Sequence, residues 1–287
     1  MYHFTEIDDL IAADEVGIET GLLGEFRLKT AYEPIFRRQG QGFVPFGVKG
    51  QAKPFLQGRP SSMEALFRKV SAERRRDIDL LCRALCFRNH RNIGVDGLRL
   101  FFGFGPATSE RVDEVLGGLD RIAGDLADIE IAPELMVCEI AEGGMADRDA
   151  PRRLADGLRG IGMGIAVREF GSGPSNFDAV RQVSPDIVAL GSAWFRRIAE
   201  NEQAVRLLSV LVSGLKAEGA EVLIDDIATV RQFEIALEVG ADLVKGPALR
   251  RAALVGTVFD ETPLDAARIL RQDANIVPLF GRSRAEP

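Results

Sequence analysis

From about residue 95 onward, short apolar runs rich in branched side chains alternate with longer segments whose apolar residues recur every three or four positions. A short apolar run bounded by turn residues reads as a buried strand, and a three-to-four repeat as a helix with one buried face. The strand candidates are Gly97 to Phe102, Leu135 to Ile140, Gly164 to Phe170, Asp186 to Leu190, Glu221 to Ile224 and Asp242 to Val244. The helical candidates between them are Ser109 to Leu126, Pro151 to Gly160, Asn176 to Val183, Glu202 to Glu218 and Thr229 to Val239. Gly160-Ile161-Gly162 and Glu218-Gly219-Ala220 supply helix stops before the next strand.

Strands that alternate with helices build a parallel sheet. Two earlier strand candidates, Thr30 to Arg37 and Gly42 to Lys49, are separated only by Arg38-Gln39-Gly40-Gln41. A connection that short joins antiparallel strands, because parallel ones need a crossover of a dozen or more residues. Eight candidates with helices after the second predict an α/β fold, a closed (β/α)8 barrel with an antiparallel strand near its start; the alternative is an open doubly wound sheet. Gly103-Phe104-Gly105-Pro106 lacks the spacing of a dinucleotide or phosphate loop and reads as a strand-ending turn.

Composition narrows the partners. Hydrophobic residues make up 46% of the 287, enough for a large core. A net charge of -7 argues against general affinity for nucleic acid or an anionic membrane. Arg74-Arg75-Arg76, beside Asp77 and Asp79, reads as a solvated helix face. Cys82, Cys86 and Cys138 are too few and too poorly spaced for a disulfide framework or a zinc site. His3 and His90, the only histidines, read as surface or helix-end residues. The start of the chain lacks a basic segment followed by a long apolar one, and no run approaches about 18 apolar residues, so a cytoplasmic location is expected.

The apolar run Ile165-Ala166-Val167 leads into Arg168-Glu169-Phe170-Gly171-Ser172-Gly173. This stretch resembles the Asp-Asp-Phe-Gly-Thr-Gly signature of the EAL family, the phosphodiesterases of the bacterial second messenger cyclic di-GMP. Ala31-Tyr32-Glu33-Pro34-Ile35-Phe36 is similar to the Tyr-Gln-Pro-Ile segment that opens the family's barrel, and Ile78 to Arg83 to its first barrel helix. Leu135 to Glu142 resembles the strand ending in Glu-x-Thr-Glu, with Ala141 in the threonine position. Glu221 to Thr229 and Val239 to Gly246 take the places of the last two strands. The resemblance runs from about Phe26 to Leu254, and its weight lies in the order and spacing of the motifs.

What the resemblance implies about the site is a set of departures. The family's enzymes hold magnesium or manganese with oxygen ligands at the strand ends, and the metals activate a water. The glutamate of Glu-Ala-Leu falls on Gly47, with Lys49 two positions on, and the third strand's asparagine on Gly103. Glu139 carries over unchanged and Glu142 follows it. The two aspartates fall on Arg168, which cannot ligate a metal, and Glu169. The lysine and acid of the sixth strand become Ala189 and Gly191, Asp225 stands for a glutamate, and Lys245 for the last strand's glutamine. The resemblance therefore implies remnants at Glu139, Glu142, Glu169 and Asp225, and a catalytically inactive site at which no cofactor or metal is expected.

The expected role is regulatory, through a protein partner of unknown identity. The alternative is a receptor that binds cyclic di-GMP without hydrolysing it, which Glu33 and Gln51 disfavour where the family has a glutamine and an arginine. An active phosphodiesterase is the third reading. Arg168 is expected to pair with Glu139 or Asp225 in place of the lost metal, or else to bind phosphate with Lys49 or Lys245. Trp194 and Phe195, in the loop after the sixth strand, either pack on the barrel or anchor a homodimer. Residues 1–25 are expected as an N-terminal extension packing on the barrel, 26–256 as the barrel, and 257–287 as a C-terminal helix, Pro263 to Gln272, with a polar tail.

Overall fold

Phe101 and Phe102 show how the alternation is used: Phe101 joins Ile35, Val137, Ala166, Ile187, Ala189, Leu223 and Leu243 inside a ring of strands, while Phe102 turns outward onto Phe87 of a covering helix, ring centroids 4.8 Å apart. Successive side chains of a strand point to opposite faces, so one short apolar run supplies both the interior and the surface under the helices. The computed structural model of the chain describes residues 4–71, 74–103, 112–141, 149–173 and 177–274. The first residues of the expected helix, Ser109 to Arg111, and the polar tail from Arg282 lie outside the described residues, as does His3.

The ring is an eight-stranded closed barrel. Its strands are β3 (Phe26–Gln39), β4 (Gly42–Leu56), β6 (Arg99–Gly103), β7 (Met136–Ala141), β8 (Gly164–Phe170), β9 (Ile187–Leu190), β10 (Glu221–Ile224) and β11 (Leu243–Val244). They run in the order β3-β11-β10-β9-β8-β7-β6-β4, and β3 pairs with β4 to close the circle. β3 alone is antiparallel to both neighbours, while β4 and β6 through β11 run parallel. The antiparallel pair expected from the four-residue connection is therefore β3–β4.

That pair is longer than the apolar pattern indicates. Its register continues from Gln39↔Gly42 out to Phe26↔Leu56, well past the barrel. The outer half of β3 is completed along its other edge by β2 (Glu19–Leu23) and β12 (Ala253–Leu254), with β1 (Ile11–Ala13) beyond β2. One face of this ribbon, carrying Phe26, Leu28, Thr30 and Tyr32, is buried. The helix Arg75–Arg88 packs beneath it, with Leu85 and Cys86 carbonyls accepting from Thr30 and Tyr32. Two further two-residue strands, β5 (Arg59–Pro60) and β13 (Leu264–Asp265), edge β4.

The helices form where capping and apolar spacing agree. In Glu202–Ala217, Asn201 accepts from the Gln203 and Ala204 amides, and Val205, Leu208, Val212 and Leu215 are buried at spacings of three and four. The expected helix Ser109 to Leu126 is two helices, Val112–Leu116 and Leu119–Asp128, parted at Gly117 and Gly118, where two glycines make continuation costly. Trp194 and Phe195 lie in a helix, Ser192–Ala199, rather than a loop. Phe195 is buried, and Trp194 rests on Gly171, whose φ of 86° and lack of Cβ make room for the indole. The C-terminal helix spans Ala266–Ala274 and packs its Ala266 and Ile269 into the core. Among the described residues no helix is long and apolar enough to cross a membrane.

Candidate functional site at the barrel mouth

The C-terminal ends of the parallel strands and the middle of antiparallel β3 meet in one polar mouth above the apolar interior. Glu33 comes from β3, Lys49 from β4, Gly103 ends β6, Glu139 lies on β7 and Arg168 on β8. Gly191, Asp225 and Lys245 each follow the last residue of β9, β10 and β11. Every barrel strand thus delivers one residue to the rim.

Two ammonium groups organise the mouth. Lys49 Nζ donates to Glu139 Oε1 at 2.9 Å. Lys245 Nζ lies 2.7 Å from Glu33 Oε2 and 2.5 Å from Asp225 Oδ1. Glu33 Oε2 also accepts from Gln51 Nε2 at 3.1 Å, and Gln51 Oε1 from Lys53 Nζ at 2.6 Å. Burial pulls the Lys245 ammonium toward neutrality, but Asp225 and Glu33 together outweigh it and hold its pKa above the ordinary lysine value. Lys245 therefore stays charged at neutral pH.

The backbone is bent at two of these strand ends. Glu169 and Asp226 have φ of 61° and 59°, the left-handed region that non-glycine residues seldom enter. At β8 the register slips between Val167 and Phe170, and Glu169 is turned out to solvent, where it accepts from Ser172 Oγ at 3.2 Å. Gly191 leaves the space that Ser172 occupies, since a Cβ there would lie 1.9 Å from the hydroxyl. Asp226 faces Arg196 at 3.9 Å.

The EAL domain sequence profile matches residues 107–252, just over half of the chain. The chain belongs to the EAL domain family. Among curated proteins, it is 21% identical over 136 residues to the Pseudomonas aeruginosa bifunctional diguanylate cyclase/cyclic di-GMP phosphodiesterase MucR. That match covers 47% of this chain and 20% of MucR, so the matched stretch spans about a fifth of that protein. Among solved structures, Bacillus subtilis YkuI, in complex with cyclic di-GMP and calcium, superimposes with a TM-score of 0.69 at 19% identity, covering 86% of this chain and 60% of YkuI. The Pseudomonas aeruginosa FimX EAL domain bound to cyclic di-GMP gives 0.65 at 15% identity, with 80% and 91% covered. These likenesses establish the barrel as EAL-type.

In this EAL domain, geometry shows where each sequence-derived position stands. On β4 the residue that reaches Glu139 is Lys49, not Gly47; a Cβ on Gly47 would meet the Arg99 carbonyl oxygen at 2.5 Å, so β6 closes over that position. Gly103 lies directly beside Glu139 in register and offers only backbone there. Ala189 belongs to the apolar interior below the mouth. Glu142 lies outside the described residues.

The Arg168 pairing expected from the sequence is not what forms. Glu139 and Asp225 are held by Lys49 and Lys245, and among the described residues no carboxylate stands within 4.0 Å of Arg168. The reason is register: Arg168 lies beside Ala141, two residues farther out along the barrel than Glu139, whose neighbour is Ala166. Sequence reasoning missed the Lys245–Glu33 contact altogether. Its signal was available, because Glu33 and Lys245 replace two neutral amides of the family pattern together, and a new acid opposite a new base points to a pair.

Three further titratable groups are buried among packed side chains. The Cys86 and Cys138 thiols are pushed up by burial and stay protonated. His90 lies in the short 3-10 turn Asn89–Ile93 that follows the helix Arg75–Arg88, and burial lowers its pKa. Among the described residues no group of three His, Cys, Asp or Glu side chains converges as a metal-ligand set.

Proposed function

We propose that this EAL domain is a non-hydrolysing, regulatory member of its family, acting through a protein partner. The observation that carries this is the pair of lysines: each of the carboxylates Glu33, Glu139 and Asp225 in the mouth already accepts from an ammonium. A two-metal centre needs several free carboxylates to offset dehydration of the cations. Here the donor set does not fit one: Gly103 supplies no side-chain oxygen, Arg168 none, and Lys49 and Lys245 would repel a divalent ion at a few ångströms by several kcal/mol.

The test is direct. The purified chain, incubated with cyclic di-GMP and either magnesium or manganese, should give no linear dinucleotide above a no-enzyme control, and Arg168→Asp alone should not create activity. Product that disappears on Glu139→Ala would show a working phosphodiesterase and end the proposal. The cytoplasmic location and the division of the chain near residues 25 and 256 belong to the same proposal, and limited proteolysis tests the latter.

One observation favours the receptor reading as the second choice. Glu33 is not a bare anion facing a dianionic ligand, because Lys245 and Gln51 both donate to it. Lys53 and Arg168 remain for phosphate oxygens. Isothermal titration with cyclic di-GMP in EDTA separates the two: a saturable, metal-independent isotherm supports a receptor, and a flat one supports action through a protein partner alone.

A further inference from the structure

The β3–β4 ribbon leaves the mouth with one face buried and the other open to solvent at its outer end. On that second face Glu33 and Lys49 are paired in register, followed outward by Ala31↔Gln51, Lys29↔Lys53 and Arg27↔Phe55. Arg27, Lys29 and Lys53 are exposed. Among the described residues none of the three has a carboxylate within 4.0 Å. Among the described residues Lys53 donates to Gln51 and Arg27 to the Gly24 and Phe26 carbonyls, while Lys29 stands 5.2 Å above the Phe55 ring.

Two lysines directly opposite on one sheet face repel each other and weaken the pairing. An acid at either position would have relieved the repulsion, in a chain that carries 43 acidic residues against 36 basic ones. The stem of each lysine adds nothing to the core, since both side chains lie on the solvent side. The face therefore keeps a local excess of positive charge that folding does not require, continuous with the mouth through Gln51.

We propose that this face docks an extended acidic segment of a protein partner. Cations on alternate residues of a strand recur about every 6.6 Å, the same spacing at which an extended peptide presents its alternate side chains. Three cations and one aromatic ring match a short run of Asp or Glu. They are too few to hold a nucleic acid against the repulsion of a chain whose net charge is -7. The proposal names the partner chemistry of the regulatory role above and rests on it; hydrolysis of cyclic di-GMP would end that role without altering a peptide isotherm.

The experiment is fluorescence anisotropy with a fluorescein-labelled decapeptide of alternating Glu and Thr, against the full chain. Saturable binding is expected, weakening as salt rises from 50 to 300 mM. It should fall about tenfold or more in the Lys29→Glu/Lys53→Glu variant and stay unchanged in Arg152→Glu/Arg231→Glu, on helices at the barrel's outer wall. The same peptide with Gln for Glu should not bind. Lys29→Glu alone should raise the melting temperature by removing the lysine pair while weakening the peptide, a combination that a purely structural role for Lys29 does not give. Absence of saturable binding, an equal loss in the outer-wall variant, or tighter binding of a single-stranded oligonucleotide through the same lysines would overturn the proposal.

Discussion

Lys49 and Lys245 flank the same strand, β3, and do the same job by different means. Lys245 is 5% exposed and answers two carboxylates, Glu33 and Asp225, that are 13% and 20% exposed. Lys49 is 25% exposed and answers one, Glu139, at 6%. Desolvating an ammonium costs several kcal/mol, and only short contacts to more than one anion return it. The lysine that keeps some water needs a single partner. The Lys245 cluster carries a net negative charge and takes the Gln51 amide as a further donor to Glu33, whereas the Lys49 pair is neutral. The barrel mouth is thus tied by two ion pairs on its β11 side and by one on its β4 side.

The largest effect should follow from breaking the buried side. Lys245→Met leaves Glu33 and Asp225 facing each other without a cation, and should destabilise the fold by about 3 to 5 kcal/mol, read as a shift of the urea midpoint at unchanged m-value. The pH dependence has a definite sign. The folded pKa of Lys245 is raised, so its contribution is complete below the ordinary lysine value of about 10.4. It is lost as pH rises through the higher folded value. The stability gap between the native chain and Lys245→Met should be flat across neutral pH and shrink only in the alkaline range; a gap that closes between pH 6 and 8 would show that some other group is being read.

A smaller loss is expected on the wetter side. Lys49→Ala removes a charge-assisted hydrogen bond from a buried carboxylate and should cost about 2 kcal/mol. In a double-mutant cycle with Glu139→Gln the pair should show a coupling of about 0.5 to 3 kcal/mol. Coupling between Lys49 and Asp225 should be absent. A cycle in which Lys49 and Glu139 simply add would dissolve the contrast between the two clusters.

How much of this could be read from the sequence depends on which interaction decided each residue. Gly164–Phe170 and Glu221–Ile224 were legible to the residue, because both faces of a barrel strand are buried and the apolar run is the strand. The outer ribbon was not. Beyond Lys49 the chain reads Gly50-Gln51-Ala52-Lys53-Pro54, too polar for a core strand, and it is strand because β3 and the helix Arg75–Arg88 hold one of its faces. The same holds at the mouth: family motifs located Glu139 and Arg168, but partner choice there depends on strand register and side-chain reach, and a spacing along the chain carries neither. A lysine one level deeper than Glu139 reaches up to it through four methylenes. An arginine one level above it would have to fold back.

Arg168 is where that argument can be tested with the smallest expected effect. It is half-buried on β8, and among the described residues no carboxylate is within ion-pair distance, so Arg168→Ala removes a partly solvated side chain and leaves no acid behind. Its cost should stay within about 0.5 kcal/mol, the range of substitutions that touch neither core packing nor a paired charge. In a cycle with Glu139→Gln it should add without coupling, in contrast to Lys49. A loss of several kcal/mol, or coupling to Glu139, would mean that the guanidinium and not the lysine carries the Glu139 charge in solution, and the division of labour around β3 would fall. If the loss is small while titration with cyclic di-GMP becomes weaker in Arg168→Ala, the guanidinium serves a ligand and not the fold, since a guanidinium with no ion-pair partner among the described residues is left to meet a phosphate.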